Sequence, residues 1–523
     1  VTPLGETTVQ PRSSVGERAA TRLYVTAVMF TIAVGLYFRT IGVFTDRFSF
    51  WLDEAVWAQL VSADDWYRHA IRPLAYMALS RLFVSLHDTE LPLRMLAYIP
   101  GILSLPLLYL VLRRLIVHRA VIVAGLLIVA THPVLIDYSR EYKPYALSVA
   151  VHLLLVLSTL RYIQEPSGPR LTLAAGLVCL SPLFAIDAVF ALPGVLVALL
   201  AVASRQPGHR HPAAMGITGV AALVLVTTLY VLVWHTEMRP AIVAHWAEKY
   251  GVFYTPGRYA PDYASWLWQR TRALVGWATL WHGHFDVPGE TRFVLGAGLA
   301  TIPLALWSGQ ALPAIVLTGP ILLALAGQLL GWWPWGPFRT NQYLIVYIVL
   351  SIVYSVDLLA RWLPQRLGSI GATLVAVVVI AVHCPTDLSA HDHKRTTGDS
   401  SIKQALEIIR EHHRRQETHP EHGGQIPLVV GRHAGPPVAY YTQQHALLAP
   451  RFAFMHDAYR IIHVTRWGMK MWKDGRIPSG PLWVITEHPD NTIAAKSYLE
   501  RHCNIELLHL LPGDDLVAYA HCP

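Results

Sequence analysis

Ile71-Arg72-Pro73-Leu74-Ala75-Tyr76-Met77-Ala78-Leu79-Ser80-Arg81-Leu82-Phe83-Val84-Ser85-Leu86-His87 is the stretch on which the fold turns. It is apolar enough to suggest a membrane span. Yet Arg72, Pro73, Ser80, Arg81 and Ser85 are spread through it, and a span needs about 20 predominantly apolar residues. Read as a span, it puts Arg113, Arg114 and Arg119 on the outer side, against the preference of cationic loops for the cytoplasm. Read as an interfacial helix along the outer surface, it brings every arginine loop into register.

Working outward, long apolar runs recur from Leu23 to Val382. The chain is 53% hydrophobic and only 15% charged, where soluble domains carry about 25% charged residues. The fold class is therefore a polytopic α-helical membrane protein. Eleven spans are expected, at 22–44, 91–112, 119–137, 144–163, 171–186, 188–204, 213–234, 293–308, 311–331, 342–360 and 368–383. Leu23 to Phe44 is too long for a cleavable signal peptide and has no small-residue cleavage site after it. The excess of 42 basic over 34 acidic residues, a formal +8, is explained by cytoplasmic loops and calls for no nucleic acid. Seven lysines against 35 arginines fit a GC-rich bacterial genome.

The charges set the expected sidedness. Arg12, Arg18 and Arg22 precede the first span; Arg113, Arg114 and Arg119, then Arg161 and Arg170, Arg205 and Arg210, and Arg361 and Arg366 fall in alternate loops. All are cytoplasmic if residues 1–21 form a cytoplasmic tail. Residues 22–384 then form the transmembrane domain, with outer loops 45–90, 137–144, 235–292 and 332–341. Within 235–292, Tyr263 through Trp281 reads as an interface-anchored aromatic helix. Trp332-Trp333-Pro334-Trp335 reads either as a stacking surface for a sugar or as a further interfacial anchor, the anchor being favoured.

Residues 385–523 change character and read as a soluble α/β domain on the outer side. Helices are expected over Ile402 to Arg410 and Asn491 to Arg501. Buried strands are expected at 427–431 and 482–486, and a hairpin at 505–511 and 516–520. Cys503 and Cys522 flank that hairpin on the oxidising side, so they are the expected disulfide. His391-Asp392-His393 and His412-His413 lack zinc-type spacing and read as surface histidines.

Chemistry concentrates at outer membrane edges. Asp53 and Glu54, inside Phe50-Trp51-Leu52-Asp53-Glu54-Ala55, read either as a solvated, helix-capping pair or as a general base in an apolar setting. A second cluster is Tyr138-Ser139-Arg140-Glu141-Tyr142-Lys143-Pro144-Tyr145. Its Arg140 and Lys143, with Arg72 and Arg339, stand on the side that disfavours cations, where a lipid phosphate would suit them. Trp57, Tyr138, Tyr145 and Tyr343 are the candidate sugar or lipid contacts.

Trp51-Leu52-Asp53-Glu54-Ala55, Leu93-Arg94-Met95 and Tyr138-Ser139-Arg140-Glu141 with Pro144-Tyr145 resemble the bacterial dolichyl-phosphate-mannose–protein mannosyltransferase-like group. These are family 39 relatives within the GT-C glycosyltransferases. The resemblance is best over 20–165. It implies transfer of a sugar from a polyprenyl-phosphate donor to an envelope acceptor (protein, lipid or glycan) at the outer face of a bacterial inner membrane. It also implies Asp53 as base, with Glu54 and Glu141 as the other site carboxylates. Arg72 would stand where the aminoarabinose transferases carry a phosphate-contacting lysine. No metal is expected; a divalent cation near Asp53 and Glu141, as in oligosaccharyltransferases, is the disfavoured variant.

The chemistry is consistent without the family. A phosphodiester donor releases a phosphate monoester, so one carboxylate to take the acceptor proton suffices, with cations on the departing phosphate. Single displacement inverts the anomeric centre. The competing classes are a transporter or flippase for lipid-linked glycans, and a scaffold with a decayed site. Transporters favour paired repeats and midplane charges; no repeat is visible, and Asp187 falls near a span end.

Overall fold

The structure is a computed structural model. It describes residues 15–41, 43–44, 50, 52–62, 73–86, 90–205, 210–229, 253–254, 262–279, 288–364, 366–374, 377, 401–416, 425–431, 434–442, 455, 458–464, 479–486, 489–511 and 515–523. Its first part is helical: α1 (Val15–Thr40), α2 (Leu52–Ser62), α3 (Leu74–Leu86), α4 (Leu91–Leu115), α5 (Arg119–Thr131), α6 (Pro133–Arg140), α7 (Tyr145–Gln164), α8 (Gly168–Phe184), α9 (Leu192–Ala203), α10 (Arg210–Leu229), α11 (Tyr263–Thr279), α12 (Pro288–Trp307), α13 (Ala311–Leu329) and α14 (Gln342–Trp362). Short 3-10 turns, 186–190 and 339–341, precede α9 and α14.

Among the described residues, five helical stretches are long and apolar enough to cross a membrane: 17–40, 91–115, 145–164, 311–329 and 339–362. The pair α5 and α6, bent by 49°, makes a sixth if counted as one span. The expected spans at 171–186, 188–204, 213–234 and 293–308 hold apolar helices too short for that test. Half of that at 368–383 falls outside the described residues. The second of these is broken, because the turn 186–190 and Pro193 near the start of α9 interrupt the helix. Within the stretch 71–87, residues 74–86 form the separate helix α3.

The bend between α5 and α6 has a local cause. Pro133 lacks the N–H that would continue α5, so carbonyls at its end lose helical partners. Arg39, fully buried in α1, supplies donors: Nη1 to Ala130 O at 2.7 Å and Nη2 to Val129 O at 3.1 Å. Gly101 then lets α6 cross α4, since a Cβ there would collide with Ser139. At the other end of the bundle, buried Asp357 accepts from the backbone N–H groups of Val117 and His118 at 3.0 and 2.9 Å. Arg361 also donates to it, at 2.7 Å. The arginine-rich ends of α4, α5, α7 and α14 thus gather opposite to the end that carries Asp53.

The C-terminal part comprises α15 (Ile402–Gln416), β1 (Ile426–Gly431), α16 (Gly435–Thr442), β2 (Tyr459–Val464), β3 (Gly480–Thr486), α17 (Pro489–His502), β4 (Asn504–Leu511) and β5 (Asp515–Cys522). The sheet order is β2-β1-β3-β5-β4, parallel across β2, β1 and β3 and antiparallel through β5. Side chains alternate between the faces of a strand. Leu482 and Val484 accordingly pack with Leu499 of α17, while Trp483 and Ile485 face the cluster shared with α15 and α16. That cluster continues without a break into Phe50, Ala55, Ala58, Tyr76 and Leu93, so one sheet face docks through α15 and α16 onto α2, α3 and α4. Cys503 and Cys522 are joined, as expected. The sequence reading omitted β2 and α16. It also put His412 at the surface, whereas its ring packs against Trp483 and Tyr519.

Candidate active site

Helix α2 is placed by its buried face. Ala55, Ala58 and Val61, spaced three apart, are fully buried, and the acidic pair occupies the first turn, where the helix dipole favours negative charge. Phe50, just ahead of it, is sealed between Tyr142 and Tyr440, with ring centroids at 5.9 and 5.3 Å. The two carboxylates leave this turn in different directions.

Asp53 meets two cations. Arg339 Nη1 donates to Oδ2, and Lys143 Nζ lies 3.6 Å from the same oxygen. The Asp53 side chain keeps a quarter of its surface exposed. Burial alone would push its carboxyl up; Lys143 and Arg339 outweigh burial and hold it below the ordinary carboxylate range. Lys143 is almost wholly buried, and burial pushes its ammonium down to about 7 despite the Asp53 charge. Its Nζ also stands 5.0 Å from the Trp57 ring, a cation–π contact.

Glu54 is 1% exposed. Its Oε1 accepts the Tyr142 backbone N–H at 2.5 Å and its Oε2 faces Arg94 Nη2 at 3.5 Å. Tyr142 stands between Glu141 and Lys143, so Glu54 ties the start of α2 to the 141–144 link. Arg94 also lies 5.3 Å from the Phe50 ring. Its charge acts on Glu90 one turn earlier. Glu90 binds Lys403 Nζ at 2.6 Å and accepts the Tyr441 hydroxyl proton, while the Tyr441 oxygen accepts the Phe50 N–H at 2.8 Å. A strut thus runs from the C-terminal sheet region to the turn that carries Asp53.

Arg339 is held by its own loop. Trp333 Nε1 donates to Asn341 Oδ1 at 2.7 Å, and Trp335 Nε1 to Thr271 Oγ1 at 2.9 Å. Asn341 Nδ2 donates to the Pro334 and Gly336 carbonyls, both at 2.9 Å. Gly336, at φ +133°, takes the turn that other residues resist. This corrects the reading of 332–335 as a simple interfacial anchor: Trp333 and Trp335 are buried, and Trp332 is the exposed one.

Of the residues expected from sequence, Asp53, Lys143, Arg339 and Trp57 are brought together, with Glu54 behind them. Glu141 is near enough to act electrostatically on Lys143 and Tyr138. Tyr138 and Tyr145 meet edge to face at 5.0 Å, and both act on Arg339. Arg140 has a different partner, Asp137 at 2.8 Å. Arg72 lies outside the described residues. Tyr343 sits deeper, stacked on His152 at 4.6 Å, in a buried group with Tyr347, Ser148 and Asp187. Among the described residues no three His, Cys, Asp or Glu side chains cluster as metal ligands would. Sequence reading missed Glu90, Lys403, Tyr441 and the strut role of Arg94. A lone charge inside the apolar run 91–112 was the one available signal, for Arg94.

Residues 71–234 match the family described as dolichyl-phosphate-mannose-protein mannosyltransferase. No curated protein matches in a sequence comparison. Among solved structures, ArnT from Cupriavidus metallidurans is similar in its apo state at 12% identity and a TM-score of 0.47. It covers 96% of this chain and 98% of its own. The same protein bound to undecaprenyl phosphate gives 12%, 0.48 and the same coverage. The Archaeoglobus fulgidus oligosaccharyltransferase, tethered to an acceptor peptide, gives 12% identity, a TM-score of 0.44, and 96% and 74% coverage. The match over 71–234 takes in α3, α4 and the Arg140–Lys143 link, so this part of the chain is similar to that mannosyltransferase family.

Proposed function

We propose that the protein moves a sugar from a polyprenyl-phosphate donor to a hydroxyl-bearing acceptor of the cell envelope, at the outer face of a bacterial inner membrane. The observation that carries this is the partly open Asp53 carboxylate beside Lys143 and Arg339, at the end of the bundle away from the arginine-rich loops. The N-terminus is then cytoplasmic and the sheet region outside.

The acceptor oxygen attacks the anomeric carbon while the bond from that carbon to the phosphate oxygen breaks. Asp53 takes the hydroxyl proton. The bond electrons leave with the polyprenyl phosphate monoester, whose extra charge Lys143 and Arg339 stabilise. Attack opposite the leaving group inverts the anomeric centre. Accessibility supports Asp53 over Glu54 as base, since Glu54 is sealed against Tyr142 and Arg94. No step calls on a metal ion.

Purified protein, given radiolabelled polyprenyl-phosphate sugars and envelope extract, transfers label with one of these donors if the reading is right. Free-sugar release without transfer, or unchanged label across the donor panel, overturns it. Sidedness is tested with Arg414→Cys, an exposed position, labelled by an impermeant maleimide in intact spheroplasts; labelling only after lysis would place the sheet region inside.

A further inference from the structure

Both cations of the candidate site are engaged by one oxygen. Arg339 and Lys143 both address Asp53 Oδ2. Three separately anchored elements deliver these groups. Asp53 comes from α2, fixed by its buried alanine face. Lys143 comes from the 141–144 link, pinned where the Tyr142 N–H meets Glu54. Arg339 comes from the turn built by Trp333, Asn341 and Gly336.

This arrangement sets two requirements of the reaction against each other. A general base needs appetite for a proton, yet paired cations favour the ionised carboxylate and weaken it as a base. A phosphate clamp needs cations to offer, yet here they are already directed at Asp53. The phosphodiester of a donor carries two non-bridging oxygens and a full negative charge, so it suits the same two cations.

We propose that the donor phosphate competes with Asp53 for Arg339 and Lys143, so that seating the donor is what frees Asp53 to act as base. This rests on the phosphate site proposed above. Without a donor, Asp53 stays paired and the base is idle. With a donor, the cations turn to the phosphate and the carboxylate recovers its basicity beside the acceptor hydroxyl. After transfer, Asp53 holds the acceptor's proton and the monoester holds the cations; once Asp53 has passed that proton to the monoester or to water, its carboxylate competes for the cations again and the carrier leaves. Glu54 and Glu141, which also act on Lys143, and Tyr138 and Tyr145, which act on Arg339, set the background charge against which this exchange occurs.

The test is a double-mutant cycle on the full chain in detergent micelles, with farnesyl phosphate as probe at pH 6, where Lys143 is charged. Asp53→Asn is expected to bind the probe about tenfold more tightly than wild type, and Arg339→Gln about tenfold or more weakly. In the Arg339→Gln background the gain from Asp53→Asn should shrink to about threefold or less, because the main bond in contention is gone. Equal gains in both backgrounds would mean simple charge repulsion, and no gain would mean no competition; either sinks the exchange while leaving the phosphate site standing. If Arg339→Gln and Lys143→Gln both bind as wild type, the phosphate site falls too. Asp53→Ser repeats the measurement should the amide variant fail to fold.

Discussion

Asp53 and Glu54 are neighbours in one helical turn, yet they face two regions built on opposite principles. On the Asp53 side, two cations meet a carboxylate that keeps a quarter of its surface exposed. On the Glu54 side, Arg94, Glu90, Lys403, Tyr441 and the Tyr142 N–H close a dry network that joins three parts of the chain. The first region can exchange partners; the second cannot do so without leaving a charge or an N–H buried alone, which is costly. On the function proposed above, this difference gives chemistry to the first and positioning to the second, although both present a carboxylate with a cation.

The largest effect is expected where the two carboxylates lose their charge separately. Asp53→Asn keeps the side-chain shape and removes the basicity, so turnover should fall about 10²–10⁴-fold with folding intact. Glu141→Gln tests the alternative base: if it abolishes transfer while Asp53→Asn does not, the first region has been misread. Next in size is Arg94→Met. It leaves the Glu54 carboxylate buried without its cation and should cost about 3–5 kcal/mol of stability, read as a lowered midpoint in detergent unfolding. A midpoint unchanged from wild type would show the network to be slack.

Tyr441→Phe removes a hydroxyl that serves both the Phe50 N–H and Glu90. It should cost about 1–3 kcal/mol and lower kcat more than it changes donor KM, because the turn beneath Asp53 loses its brace. Equal effects on both parameters would mean that the sheet region contributes only bulk stability. The smallest expected effect is on pH. Lys143 is charged below about 7 and neutral above it, and an anion needs the charged form. Donor affinity should therefore weaken as pH rises through about 7, by about threefold in all, because Arg339 stays charged. Lys143→Arg, which stays charged, should flatten that fall; a wild-type affinity constant up to pH 9 would remove Lys143 from the donor site.

Much of the first region was legible in sequence because its signals are local. Asp53 and Glu54 follow an apolar run, and cations on the disfavoured side of a membrane stand out one by one. The second region was not legible. Glu90 reads as an ordinary acid before Leu91-Pro92, and Lys403 and Tyr441 are unremarkable in a soluble segment. Their roles exist only because the sheet docks, and a hydrogen bond between residues 351 apart has no sequence pattern. The tryptophans of 332–335 show the converse error. Their composition resembles a membrane belt, but burial and two indole hydrogen bonds turn them into the scaffold of Arg339.

The sequence by itself determined that this is a multi-span helical protein with an appended α/β segment. It also determined where charge stands at the membrane edges and that Cys503 and Cys522 can pair. Helical and strand periodicity, hydrophobic length and loop charge are short-range properties that each segment carries with it. Only the tertiary structure decided that Asp53 meets Lys143 and Arg339, that Arg140 turns to Asp137, and that Glu54 is a strut. Those outcomes depend on which cation reaches which carboxylate. Across 286 residues, packing alone fixes that for Asp53 and Arg339.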